Sequence, residues 1–227
     1  MSPMRPGQQL RLNLRQRTPR GLEQIIVSPS NAAAIEALER WPAWPAGCLA
    51  LIGPEGSGKS LLARTWAART GARIVAAADS EVSHLRGGAI LFEDADAAPA
   101  EETLFHLINM VVQGATLLVT GRTAPQSWTT ALPDLRSRLN ALMVAQIGEP
   151  DDLLLEGVLR KFFRERNIRP ADDVYPYLVR RIERSILAAK LVVSRLDDLA
   201  DAGQREITRA LARQILEQED ATLDLFD

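Results

Sequence analysis

The stretch Gly53-Pro54-Glu55-Gly56-Ser57-Gly58-Lys59-Ser60 follows directly on the apolar run Cys48-Leu49-Ala50-Leu51-Ile52. The pattern G-x-x-x-x-G-K-[ST] behind such a run reads as a buried strand turning through a phosphate-binding loop into a helix. The glycines let successive backbone N–H groups converge on an anion, and Lys59 reaches the outer phosphates. Ser60 offers a hydroxyl to magnesium, and the helix that follows aims the positive end of its dipole at the same point. Gly53 to Ser60, with Leu61 next in line, form the expected contact set for ATP or ADP with Mg2+.

The elements around this loop alternate. Ser30 or Asn31 is expected to cap a helix through Ala33, Ile35 and Leu38 that stops before Trp41-Pro42. Strands are expected at 48–52, 73–77, 89–92, 116–120 and 143–147. Helices are expected at 59–69 and at 101–112, where Leu104, Leu107, Ile108 and Val111 share one face. This order implies an α/β fold, a five-stranded parallel sheet with helices on both faces. Pro150-Asp151-Asp152 marks a change to wholly helical patterning. The expected division is a flexible leader over 1–24, a nucleotide-binding domain over 25–149, a small helical lid over 150–220 and a tail over 221–227. Within the tail, Leu223 to Phe226 is expected to be extended.

Composition narrows the class. An apolar fraction of 46% in 227 residues is ample for a packed core. Cys48, the single cysteine, allows no internal disulfide, which fits a reducing cytoplasm. No apolar stretch approaches the roughly 20 residues of a membrane helix, and the N-terminus carries no signal segment. His84 and His106 stand apart from any ligand cluster, so no zinc site is expected. A net charge of −2 argues against nucleic acid as the main partner. Residues 1–22 nevertheless carry Arg5, Arg11, Arg15, Arg17 and Arg20 and no acid. Such an arm suits DNA, an acidic protein surface or plain solvation.

A hydrolysing phosphate-loop enzyme needs one carboxylate near magnesium and another to polarise water, at the end of a neighbouring strand. Ile90-Leu91-Phe92-Glu93-Asp94 supplies the pair. The usual order is Asp then Glu; here Glu93 takes the magnesium side and Asp94 the water side, so slow intrinsic turnover is expected. Thr120-Gly121-Arg122 ends the fourth strand, where a polar side chain can sense the γ-phosphate. Asp134-Leu135-Arg136-Ser137-Arg138-Leu139 brings two arginines to the edge of the domain, suited either to a surface ion pair or to a phosphate held by a neighbouring subunit.

Taken together, these parts resemble an AAA+ ATPase core with a helical lid. More narrowly, Asp134 to Leu139 followed by Gly148-Glu149-Pro150-Asp151 resembles the DnaA initiator family. The leader Gln9-Leu10-Arg11-Leu12-Asn13-Leu14 is similar to the clamp-binding hexapeptide of the Hda group of DnaA-like regulators. The resemblance covers almost the whole chain. It implies that Arg138 is an arginine finger acting in trans, that Lys59 and Ser60 contact phosphate and magnesium, and that Glu93, Asp94 and Thr120 complete the catalytic end of the sheet. It also implies that Gln9, Leu10, Leu12 and Leu14 bind the DNA polymerase III sliding clamp, and that the target is ATP on the DnaA initiator. DNA would then be approached only indirectly, and a homo-oligomer is compatible. The family's DNA-reading helix-turn-helix has no counterpart after residue 220, which implies a regulator rather than an initiator. Leu223-Asp224-Leu225-Phe226 also resembles a clamp peptide.

Two departures bear on catalysis. The lid's second-sensor arginine aligns with Leu187, and Arg184 lies three residues earlier, expected on the same helical face as a substitute contact to the nucleotide. The acidic pair is inverted. A self-sufficient small AAA+ ATPase, such as a helicase loader, and a DNA-binding member using the basic arm are the alternative readings.

Overall fold

The computed structural model describes residues 25–75, 87–96, 101–203 and 206–223. The leader peptide with Gln9, Leu10, Leu12 and Leu14, His84, and the last four residues lie outside them.

Five strands form one parallel sheet: β1 (Cys48–Ile52), β2 (Arg73–Val75), β3 (Ala89–Phe92), β4 (Thr116–Gly121) and β5 (Met143–Gln146). Their order is β2-β3-β4-β1-β5, so β1 is flanked by β4 on one side and β5 on the other. All five residues of β1 are buried, which is why it reads as an unbroken apolar run.

Period-two alternation sorts the sheet's side chains onto two faces. Cys48, Ala50 and Ile52 join Ile90, Phe92, Leu117 and Val119 against α3 (Glu101–Val112) and α4 (Pro133–Asn140). Leu49 and Leu51 join Leu91, Leu118, Ala145 and Ile147 against α1 (Ala32–Glu39) and α2 (Lys59–Thr70). Trp66 of α2 is fully buried in the second core and stacks on Trp44 with ring centroids 5.2 Å apart.

A third core lies in the helices after the sheet: α5 (Asp152–Glu165), α6 (Val174–Val179), α7 (Ile186–Gly203) and α8 (Arg209–Leu223). Leu155, Leu159 and Phe163 meet Val174, Leu178, Val193, Leu196 and Ala212 there. Among the described residues no helix is long and apolar enough to cross a membrane.

Local differences from the sequence reading have identifiable causes. Helix α8 continues to Leu223, so residues 221–223 extend the lid rather than begin an extended tail. Residues 133–140, read only as an arginine-bearing edge, form α4, started by Pro133 at its first turn. Asn31 stands at the cap position of α1 but its side chain makes no capping bond. Its amide is engaged backwards instead, accepting from the Ser28 N–H (2.9 Å) and donating to the Ile26 carbonyl (2.9 Å).

That backward turn seats the entering chain at the joint between sheet and lid. Ile25 packs into the sheet-side core and Ile26 into the lid core. Asp151 caps α5 by accepting the Leu154 N–H (2.8 Å) and also accepts the Ser30 N–H (3.0 Å). Burial alone would raise the Asp151 carboxyl. The N–H groups of Leu154 and Ser30, with the Ser28 and Ser30 hydroxyls, outweigh it and hold the carboxyl below its ordinary 3.8. A carboxyl depressed by folding adds stability that is complete above 3.8 and is lost as pH falls below that value through the folded one. Asp151→Ala is expected to cost about 1 kcal/mol at neutral pH, as for other helix caps. Denaturant melts across the acid range are expected to show a shallower acid loss in the variant than in the parent.

Candidate functional site

Strand β1 ends against its neighbours: the Gly53 N–H donates to the Gly121 carbonyl (3.3 Å), tying the first loop residue to the end of β4. A side chain at Gly53 would bring its Cβ within 2.5 Å of the Ile147 carbonyl oxygen. Gly56 and Gly58 adopt φ of +72° and +100°, conformations open to glycine and costly for other residues. The Ser57 hydroxyl closes the turn by donating to the Pro54 carbonyl (2.8 Å).

Lys59 is buried in this turn, its ammonium donating to the carbonyls of Gly53 (2.7 Å) and Pro54 (2.8 Å). Two of its three donors are thus engaged among the described residues, leaving one for an anion in the loop. Burial pushes the Lys59 pKa below the ordinary lysine range; Asp94 opposes that, Arg122 adds to it, and Asp96 and Glu55 oppose it. Ser60 is exposed in the first turn of α2 and Leu61 is half-buried beside it.

Glu93 accepts from Arg64 of α2 (2.9 Å), while its Oε1 is buried with no hydrogen-bond partner among the described residues. Asp94, not Glu93, is the foremost carboxylate acting on Lys59. The backbone at Asp94 turns with φ +53°. It docks on β4 through Asp94 N–H to the Thr120 hydroxyl (2.9 Å) and Ala95 N–H to the Thr120 carbonyl (2.7 Å). Thr120 is 1% exposed and so shapes the acidic turn from beneath. Asp96 accepts the N–H groups of Arg122 (2.5 Å) and Thr123 (3.1 Å), locking the ends of β3 and β4 together.

The lid closes over the loop directly. The Ile186 N–H donates to the Gly56 carbonyl (2.8 Å), and the Ser185 hydroxyl accepts the Leu187 (3.2 Å) and Ala188 (3.3 Å) N–H groups at the start of α7. Between loop and lid lies a cleft of about 60 Å3, with Ile25, Ile26, Leu61, Val158, Phe162 and Ile186 in its walls. Arg184 precedes α7 and so does not share a helical face with Leu187. Its guanidinium is instead hydrogen-bonded to Asp152 at the start of α5. Leu187 is 54% exposed.

Arg138 stands apart from this assembly. It occupies the last turn of α4, paired with Asp134 (3.2 Å) and 5.8 Å from the centroid of the Phe105 ring. With Cys48, Ile108, Val111 and Leu142 it lines an apolar cleft of about 340 Å3. Cys48 begins β1 and the phosphate loop follows its end, so Arg138 and Lys59 lie at opposite ends of that strand, about 13 Å of extended chain. Arg136 is held by the Gln126 carbonyl (3.0 Å). Glu101, at the start of α3, accepts from the Thr130 hydroxyl and from Ala131 (2.8 Å) and Leu132 (2.9 Å), fixing the entry to α4; these bonds, led by Thr130, hold its carboxyl below the usual range. The Cys48 thiol, pushed up to about 12 by burial, stays protonated.

The structure therefore brings Gly53 to Leu61, Glu93, Asp94 and Thr120 together and places Arg138 at the far end of β1, while Arg184, next to the Ser185 that abuts Gly56, has its guanidinium on Asp152. The sequence reading assigned no role to Arg64, Asp96 or Ser185. Arg64 falls on the α2 turn after Ser60, facing the strand end, a helical spacing that was available as a signal. Those of Asp96 and Ser185 arise only from the folded chain.

The residues present suit a nucleotide with magnesium. The loop is a glycine cradle with a spare ammonium donor, and Ser60 and Glu93 Oε1 are hard oxygens of the kind magnesium takes alongside phosphate and water. Among the described residues no group of three or more His, Cys, Asp and Glu side chains could hold a metal by itself.

No family model matches the chain. In sequence, 122 of its residues, 53% of the chain, are 31% identical to the chromosomal replication initiator protein DnaA of Thermomicrobium roseum. The match spans 26% of that protein's length. In structure, domain III of the Thermotoga maritima replication initiation protein DnaA superposes with a TM-score of 0.72 at 16% identity, over 88% of this chain and 96% of that one. AMPPCP-bound DnaA from Aquifex aeolicus superposes at 0.65 and 19% identity, over 90% and 70%. The RuvB Holliday junction branch migration motor of Thermotoga maritima does so at 0.67 and 17%, over 88% and 72%. The fold is that of an AAA+ P-loop NTPase: a five-stranded parallel sheet with helices on both faces, joined to a helical lid.

Proposed function

We propose that this chain is a DnaA-like, nucleotide-binding regulator of chromosomal replication initiation, of the Hda type. In this reading it binds ATP or ADP with Mg2+ in the loop from Gly53 to Leu61. It docks on the DNA polymerase III sliding clamp through Gln9, Leu10, Leu12 and Leu14, and it promotes hydrolysis of ATP held by the DnaA initiator.

The observation that carries the reading is the position of Arg138. A guanidinium beside the start of β1 is remote from its own phosphate loop, so any phosphate it meets belongs to another subunit. The sequence match to DnaA and the DnaA-like fold support the choice of partner. The bound nucleotide supplies the charge that orders the loop, while Lys59 and Ser60 hold its phosphates and Glu93 and Asp94 flank them. With the acidic pair inverted, one Glu93 oxygen on Arg64 and Arg184 paired with Asp152, the chain in this reading turns over its own nucleotide slowly and serves mainly to present Arg138.

The test follows ATP bound to DnaA in the presence of this chain and DNA-loaded clamp. Hydrolysis is expected to accelerate, and the Leu10→Ala/Leu12→Ala double variant is expected to lose both clamp binding and acceleration while keeping nucleotide affinity. Unchanged hydrolysis with the parent chain overturns the reading.

A further inference from the structure

Tyr177 of α6 is buried, and the guanidinium groups of two arginines lie over its ring. The Arg181 Cζ is 5.3 Å from the ring centroid and the Arg209 Cζ 5.1 Å from it. Arg181 stands just beyond the end of α6, where its N–H donates to the Leu178 carbonyl (2.9 Å). Arg209 opens α8. The Ala171 N–H donates to the Ile207 carbonyl (3.1 Å), which sets the start of α8 beside the entry to α6. Arg213, about one turn on from Arg209, is held above its ordinary range first by Glu217 and then by Tyr177, so it belongs to the same cluster.

These are cations on an aromatic platform rather than members of ion pairs. Arg181 and Arg209 form no ion pair among the described residues, although Glu183 and Glu206 stand exposed close by in the chain. Arg213 has the exposed pair with Glu217 (2.6 Å), a contact that contributes little. A guanidinium resting on a ring keeps its charge and its fork of N–H donors while its plane is held. Two like charges at one ring repel each other, and an anion that meets both relieves the repulsion. A nucleotide in the loop does not supply that anion. Among the described residues, the cleft between loop and lid is walled on the lid side by α5 and α7 and takes nothing from α6 or α8.

The anion that suits the cluster is a repeating phosphodiester. One phosphate meets a guanidinium fork with two oxygens in parallel, and the next along the strand is there for the next arginine. Because guanidinium groups already cover the ring, no base can stack on it. The contact is therefore with backbone and carries no sequence preference.

We propose that Arg181, Arg209 and Arg213, held on Tyr177, form a contact surface of the lid for the phosphate backbone of duplex DNA. The choice of DNA over another polyanion rests on the reading above, in which the chain works beside clamp-loaded DNA. The lid then touches that DNA directly, with a weak and sequence-independent hold separate from the leader and from the nucleotide site.

Fluorescence anisotropy of a labelled duplex of arbitrary sequence, titrated with the full chain over a series of salt concentrations, tests it. Neither clamp nor initiator is present, so this result stands or falls apart from the regulator reading. The parent is expected to bind with a dissociation constant on the order of 10–100 μM at physiological salt. Arg181→Gln/Arg209→Gln is expected to weaken binding and to reduce the slope of log affinity on log salt by about two. Arg181→Lys/Arg209→Lys keeps the charges and should keep the slope, and a thermal melt checks that all variants fold. Arg40→Gln/Arg73→Gln removes the same net charge from the sheet domain and should leave the slope unchanged. Deletion of residues 1–22 should leave the lid's contribution in place. No salt-dependent DNA binding by the parent, or an unchanged slope in the lid Gln variant, overturns the proposal. So does loss of all DNA binding on deleting residues 1–22, which assigns the contact to the leader. Binding of a poly-glutamate peptide in place of the duplex, lost in the lid Gln variant, overturns it in favour of an acidic protein partner.

Discussion

Arg138→Ala is expected to lower clamp-dependent hydrolysis of DnaA-bound ATP by about a thousandfold, the scale of an arginine supplied in trans to a phosphoryl-transfer centre. Single-turnover release of phosphate from DnaA, with this chain and loaded clamp in excess, measures it. The geometry makes the expectation specific. Arg138 is only partly exposed and rests between Asp134 and the Phe105 ring, contacts that hold a guanidinium in a defined place at modest cost. Removing it empties one side of the apolar cleft by Cys48 and Ile108, at the margin of the first sheet core, but takes no apolar side chain out of either core. Nucleotide binding and thermal stability of the chain itself should therefore survive.

Arg136 is the internal control. Its bond to the Gln126 carbonyl gives it a local structural use. Arg136→Ala is expected to retain most of the acceleration. Equal losses in the two variants would point to a general surface charge rather than a positioned finger, and a full rate in Arg138→Ala would remove the finger from the mechanism.

The second large effect is expected at Gly56. Valine there meets two obstacles at once. The backbone φ of +72° disfavours a β-branched residue, and the new Cβ would lie 2.1 Å from the Ser185 hydroxyl. Either the loop changes shape or the lid lifts. Strain and overpacking together should cost about 3 kcal/mol in urea unfolding. Lifting also breaks the Ile186 to Gly56 hydrogen bond, so nucleotide affinity is expected to fall by at least about a hundredfold by the same free-energy scale. Titration with ADP and AMPPCP reads that loss. Retained affinity in a folded Gly56→Val chain would mean that the lid's seat on the loop is not part of the binding state.

The narrowness of the cleft between loop and lid gives that expectation its force. Ligand pockets commonly reach some hundreds of cubic ångströms. At about 60 Å3, this one must widen to take a nucleoside, and the lid bears on it through Ile186, Val158 and Phe162. Gly56 is where the two bodies touch by backbone, so its substitution tests loop and lid together.

Much of this was legible before folding because it depends on neighbours in the chain. The run from Cys48 to Ile52 could only be a strand buried on both faces, and the glycine-lysine pattern after it could only be useful as a turn around an anion. The five strands, the helical lid and the position of Arg138 near the domain edge follow from the same local patterning, with boundaries displaced by a few residues. The end of α8 is not legible because Leu223 and its neighbours carry no strong stop signal, and helical hydrogen bonding continues until something interrupts it.

Which residues lie at the loop end of the sheet was legible, and which partners they take was not. That Glu93, Asp94 and Thr120 converge on the loop follows from strand order. That Glu93 turns to Arg64 depends on which rotamer reaches which helix across the sheet. Arg184 behaves likewise. Its spacing to Leu187 looked helical, but the helix starts two residues later and Asp152, brought in by α5, takes the guanidinium.

The sequence by itself determined the class of fold and the chemistry of the loop, because hydrophobic periodicity and glycine conformation act over a few residues. The tertiary structure alone decided which charge answers which: Arg122 with Glu55, Arg64 with Glu93, Arg184 with Asp152, Asp151 with Ser30. Each of those pairs joins elements far apart in the chain, and the energy of an ion pair or hydrogen bond depends on distances that exist only once the sheet, its covering helices and the lid are packed together.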